Sequence, residues 1–129
     1  KSSTNFKNLD NKEVDKLFVK ILDEFIKIAK KNEKKIYIVF NAVNPDILYP
    51  KTESDQKLKD ILLNKKLKKL KEFLDKKNVL YYDFNRYLIK NYNRKNINTM
   101  FKKIDGHWDH YTEKGFFEIT KQININLIN

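Results

Sequence analysis

The 129-residue chain contains no cysteine, and glycine, proline and histidine number two each, with a single tryptophan. Without cysteine there are no disulfides, no thiolate metal ligands and no cysteine nucleophile. Serine is confined to Ser2, Ser3 and Ser54, none of them in a strand-to-turn setting, and arginine to Arg86 and Arg94. No apolar run approaches the roughly 18 residues that a membrane-spanning helix requires.

Of the 28 basic residues all but those two arginines are lysine, and against 17 acidic residues they leave a formal charge of +11. Such a balance ordinarily points to nucleic acid or an anionic membrane surface. Base and phosphate recognition, however, favours the bidentate guanidinium fork, which is nearly missing. Lys, Asn and Ile together fill 56 of the 129 positions, the pattern of A+T-rich coding sequence, and the lysines are scattered along the whole chain. A solvated lysine surface accounts for the charge, and nucleic acid is not expected as a partner. With 40% apolar and 13% aromatic residues the chain can bury a core, and its length suits one domain. It opens on Lys1 rather than Met, as a piece of a longer protein would.

Residues 1–11 (KSSTNFKNLDN) are polar and predict a loop; residues 12–129 predict the C-terminal portion of a single α/β domain. From Lys12 to Asn32, the residues Val14, Leu17, Phe18, Ile21, Leu22, Phe25, Ile26 and Ala29 recur at three- and four-residue intervals, predicting an amphipathic helix with one buried face. Ile36-Tyr37-Ile38-Val39-Phe40, extended to Val43, predicts a parallel strand covered on both faces. Residues 44–54 read as a loop. Asp55 to Lys77 is helical, but Leu58, Ile61 and Leu62 mark one face while Leu63, Leu67, Leu70 and Leu74 mark another. That phase slip near Asn64 predicts a bend or two short helices. Lys65–Lys71 has the pattern of a basic amphipathic helix that could meet a membrane, and equally of the solvated outer face of a packed helix. Val79–Phe84 predicts a second strand, Asn85–Asn91 a short helix, and an Asn/Lys-rich loop follows. Thr112 is a candidate N-cap for a final helix with Phe116, Phe117, Ile119 and Ile123 inward.

Helix, strand, helix, strand, helix is an α/β order. A parallel strand flanked on one edge only leaves backbone N–H and C=O groups without partners. The expectation is therefore that the sheet is completed by the remainder of the same chain or by a partner chain.

Both glycines, both histidines and the tryptophan fall within Asp105-Gly106-His107-Trp108-Asp109-His110-Tyr111-Thr112-Glu113-Lys114-Gly115. Asp105 and His107 are two apart, so in extended backbone both side chains leave the same side. The carboxylate can then fix the imidazole tautomer, leaving the other nitrogen as a general base. Gly106 admits backbone angles that other residues resist, and Gly115 permits close approach of the following helix. The same residues could instead cap the helix and anchor a loop through Trp108. Asp105, His107, Asp109 and His110 could also form a carboxylate–imidazole metal cluster, but four such residues within six positions rarely converge. Asp83, at the end of the second strand, reads as structural.

The pattern Asp-Gly-His-Trp-x-x-x-Thr-x-x-Gly, running into an amphipathic terminal helix, resembles the last conserved block of the SGNH/GDSL hydrolase superfamily. It is closest to the branch with an Asp-x-His pair, which includes alginate O-acetyltransferase-like and other polysaccharide acyl-transfer proteins. The likeness covers residues 12–125 in layout, and in specific motif only the Asp105–Gly115 segment. It implies a partial three-layer αβα, flavodoxin-like fold with a mostly parallel sheet. It implies that His107 is the catalytic base and Asp105 its orienting partner, acting without metal or organic cofactor on an acyl ester such as an O-acetylated carbohydrate, in an extracytoplasmic setting. The family's Gly-Asp-Ser-like nucleophile block and oxyanion-hole blocks have no counterpart here, and Asp109 stands where relatives often have Asn. A serine upstream of these residues is expected, and the chain by itself is expected to be inactive. The alternative is a non-catalytic basic binding or assembly module, or a pseudoenzyme.

Overall fold

The structure, a computed structural model, describes residues 11–41 and 44–128. The loop expected over residues 1–11 falls, apart from Asn11, outside the described residues, as does the extension of the first strand to Val43. The chain divides into two compact units, Lys1–Ile36 and Tyr37–Asn129.

The described part of the first unit is dominated by helix α1, Asn11–Lys31. It ends as the Asn32 position predicts. Lys34 N donates to Ala29 O at 2.8 Å and Glu33 N to Lys30 O at 3.1 Å, the paired bonds of a Schellman motif. Its left-handed residue is Glu33, with φ of 55°, where glycine is usual. The apolar positions of α1 do not all turn inward: Val14, Phe18, Ile21 and Phe25, expected to be buried, are exposed. At 100° per residue the apolar set spans about half the circumference, wider than one packing face covers.

In the second unit, β1 (Tyr37–Phe40) and β2 (Leu80–Asp83) form a parallel pair in register from Tyr37↔Leu80 to Phe40↔Asp83. Mixed α/β architecture with parallel strands is thus present. Among the described residues neither edge of this pair carries a further strand. The first strand is not covered on both faces as expected: burial grows from exposed Tyr37 to buried Phe40.

The segment read as a loop over 44–54 holds a short helix, α2 (Pro45–Leu48). Asn44 accepts from Asp46 N at 2.8 Å and Pro45 supplies a preset φ at the first helical position, so the pair that stops the strand also starts a helix. Thr52 then caps α3 (Glu53–Lys59) through Asp55 N at 3.0 Å. The phase slip is absorbed without a break. Asp60–Lys66 winds as a π-helix and runs directly into α4 (Leu67–Lys76). Leu58, Leu62, Leu67, Leu70 and Leu74 are spaced four, five, three and four apart, and the step of five is the one that a π turn realigns. A second Schellman motif, with Asn78 at φ of 56°, ends α4 and leads into β2.

Asp83 caps α5 (Phe84–Asn91). A 3₁₀ turn (Ile97–Met100), β3 (Phe101–Ile104), β4 (His107–Tyr111), α6 (Glu113–Ile123) and a π turn (Asn124–Ile128) complete the chain. The core gathers Leu48, Phe84, Leu88, Ile97, Met100, Phe101 and Tyr111. The rings of Phe101 and Tyr111 lie 5.0 Å apart, and that of Phe84 meets Tyr111 edge-on at 5.9 Å.

Burial raises the pKa of the Tyr111 phenol above its ordinary 10.0, against a smaller opposing effect of its hydrogen bond with Asn41. Burial also raises Tyr49, Tyr82 and Tyr92. The unfolded chain releases these protons at lower pH than the folded chain does. Stability is therefore intact below about pH 10 and is lost as pH rises beyond it. Urea midpoints measured from about pH 8 to 11 should fall above pH 10, and less steeply in Tyr111→Phe. An identical slope in that variant would refute the assignment to Tyr111.

Candidate functional site

Where a loop was expected between the short helix and Asp105, the chain forms an antiparallel hairpin with Asp105 and Gly106 at its tip. Ile104 pairs with His107, so the connection has two residues. Both have positive φ, 50° at Asp105 and 78° at Gly106, the combination of a type I′ turn, whose twist matches that of the strands it joins. A Cβ at Gly106 would meet nothing within 4 Å, so glycine serves conformation there, not space.

This geometry corrects the expected placement of the two side chains. Asp105 is left-handed, not extended, and period-two alternation does not hold from Asp105 to His107. Both are exposed, and among the described residues neither side chain makes a hydrogen bond or ion pair.

The Asp–His pair that the structure does bring together is the next one along. Register shifts between Lys102↔His110 and Lys103↔Trp108, leaving Asp109 as the extra residue of a β-bulge. Asp109 Oδ2 lies 3.6 Å from His110 Nε2, and His110 Nδ1 lies 2.6 Å from the Tyr111 carbonyl oxygen. Nδ1 must carry its proton to donate to that carbonyl, and Nε2 faces a carboxylate. The ring is thus held by its Nδ1–H, with Nε2 turned toward the Asp109 carboxylate. Its ring stacks over Phe116 at 6.2 Å. Trp108 is half-buried: it meets Phe101 edge-on at 6.4 Å, and Lys103 Nζ sits 4.8 Å from its ring centre. Among the described residues no group of three or more carboxylate and imidazole side chains could hold a metal ion.

The C-terminal boundary of the segment is as predicted. Thr112 accepts from Gly115 N at 3.2 Å and donates its hydroxyl to Thr99 O at 2.6 Å. A Cβ at Gly115 would lie 2.3 Å from Met100 O and 2.8 Å from Tyr111 Cβ, so glycine lets α6 press against the hairpin base. That contact also fixes the helix rotation. Gly115 and Ile119 turn inward, whereas Phe116 and Phe117, expected to do so, remain 51 and 68% exposed.

A second polar cluster lies at the carboxyl end of the parallel pair, around Asp83, which the sequence marks only as structural. The Asp83 carboxylate accepts from Lys71 Nζ at 2.6 Å and from Arg86 N at 3.3 Å, with Arg86 Nε 3.6 Å away. Asp at a strand end before a helical segment is a legible N-cap signal. Nothing in the local sequence marks Lys71 as its partner. Lys65, Lys68 and Lys69 point to solvent, as a packed helix with a lysine-rich outer face would place them.

Of the serines, Ser54 is exposed in the first turn of α3, and Ser2 and Ser3 lie outside the described residues. No described helix is long and apolar enough to cross a membrane. No family model, curated protein or solved structure matches the chain.

Proposed function

We propose that this chain contributes the His–Asp portion of an SGNH-like acyl-transfer site, in which a serine from outside the described residues attacks the carbonyl of an acyl ester. The observation that carries the reading is the Asp-Gly turn. It sets His107 at an exposed strand start, two residues from Asp105, with neither side chain committed to another partner. His107 takes the hydroxyl proton as the oxygen attacks and returns it to the leaving alcohol, while Asp105 orients the imidazole and stabilises the imidazolium. Catalytic hydrogen bonds often close only in the assembled complex. Water as acceptor gives an esterase and a sugar hydroxyl an acyltransferase, with O-acetylated carbohydrate as the substrate class. No metal or organic cofactor enters these steps.

The architecture that goes with this role is three-layer αβα of flavodoxin type, with β1 and β2 at one end of a longer parallel sheet. Two parallel strands of four residues are too few to stand alone, which favours completion by further residues of the same protein or by a partner chain.

The test uses the protein together with its nucleophile-bearing segment. p-Nitrophenyl acetate turnover should fall roughly 10³-fold or more in His107→Ala through kcat, and at least about ten-fold in Asp105→Asn. Serine labelling by a fluorophosphonate should weaken in parallel. Undiminished labelling in His107→Ala would sink the assignment. One observation favours the alternative, a basic binding module: Lys65, Lys68, Lys69 and Lys76 are all exposed on one stretch of helix. Salt-sensitive polyanion binding that survives His107→Ala, with no ester turnover, would decide for it.

A further inference from the structure

Helix α1 leaves a continuous apolar seam in the open. Val14, Phe18, Ile21, Phe25 and Ile28 are 40, 55, 58, 65 and 60% exposed. Their spacing alternates four and three, which keeps successive side chains on one line of the helix, as in a coiled-coil seam. From Val14 to Ile28 the seam is about 21 Å long.

We propose that a second copy of the same helix occupies this seam, antiparallel, about a twofold axis near Ile21 and Leu22. Charge chooses this occupant and orientation. Along one flank of the seam run Glu13, Lys20, Glu24 and Lys31, all exposed. Reversing one copy places Glu13 opposite Lys31 of the second copy and Lys20 opposite its Glu24, each pair occurring twice. A parallel, in-register pair would instead bring this flank against the opposite flank of the second copy, where the apolar Leu22, Ile26 and Ala29 lie, and the complementary pairs would be lost. The seam has the same symmetry: reversal brings Val14 against Ile28, Phe18 against Phe25, and Ile21 to the axis. Aliphatic then meets aliphatic, and aromatic meets aromatic. Glu24 already lies 3.5 Å from Lys27 of its own helix, and a carboxylate has room to accept from both.

The absence of cysteine allows a direct test on the 129-residue chain. Light scattering should give the mass of a dimer. Under mild oxidation Ile21→Cys should cross-link to itself. Val14→Cys alone should not, while a mixture of Val14→Cys and Ile28→Cys should. Lys20→Glu should weaken association about ten-fold, and Lys20→Glu with Glu24→Lys should restore it. A monomer at every concentration would overturn the proposal, as would Val14→Cys cross-linking to itself as readily as Ile21→Cys. So would a monomer in which Ile21→Cys is shielded from maleimide, because the seam would then be covered by the chain itself.

Discussion

Gly115→Ala is expected to cost about 3 kcal/mol or more of stability, although alanine is ordinarily the better helix residue by about 1 kcal/mol. The reason is the immediate surroundings of the missing side chain. A methyl group would enter within 2.3 Å of the Met100 carbonyl oxygen and 2.8 Å of Tyr111 Cβ. Neither is the free end of a flexible side chain. Met100 opens into β3 and its carbonyl already accepts from Thr112 N at 3.0 Å; Tyr111 is part of the buried core. Relief requires α6 to lift from the hairpin, which breaks the Thr112 cap and the Tyr111–Phe116 contact at 5.8 Å. Overpacking of a close-packed interior costs roughly 1–3 kcal/mol, and the lost helix cap about 1 more. Chemical denaturation should show the loss as a lower midpoint. A Gly115→Ala protein as stable as the parent would show that the helix is free to retreat.

The second large effect is at Asp83. Its carboxylate holds an ammonium and a helix start together, with side chains only 10% exposed for Asp83 and 20% for Lys71. Asp83→Ala removes the cap of α5 and leaves Lys71 half-buried without its counter-ion. The expected cost is about 3 kcal/mol, of which the cap accounts for about 1. Asp83→Asn separates the two contributions, since asparagine caps well but carries no charge. Lys71→Met tests the pair from the other side: it keeps an aliphatic stem of similar length, removes the ammonium that sits 6.0 Å from the Phe40 ring centre, and should be milder than Asp83→Ala. If the two single variants and the double variant add without coupling, the 2.6 Å contact contributes nothing to stability.

What could be read from residues alone was whatever local chemistry specifies. The extent of α1, the Thr112 cap, the closeness demanded at Gly115 and the parallel relation of Tyr37–Phe40 to Leu80–Asp83 all follow from periodicity, capping or backbone freedom. Two further features are equally local. Asn44-Pro45, within the segment that reads as a loop, supplies both the cap and the first-turn proline of α2. Asp105-Gly106 is among the strongest two-residue hairpin signals, and its left-handed backbone overrides the extended geometry expected of the Asp-x-His spacing. Other features were not local at all. Lys71 and Asp83 meet across a helix and a strand, the register shift that frees Asp109 depends on how β3 and β4 pair, and the outward turn of Phe117 depends on where α6 is pinned.

The π-helical stretch at Asp60–Lys66 has a consequence for how this chain can vary. One residue more than an α-helix needs is housed there, and the surplus is what turns Leu67, Leu70 and Leu74 back into line with Leu58 and Leu62. Shortening the stretch by a single residue would leave spacings of four, four, three and four, an unbroken α-helix presenting the same apolar line. Length is therefore a neutral character at this one place, whereas a residue gained or lost in α4 itself would swing every later side chain by about 100°.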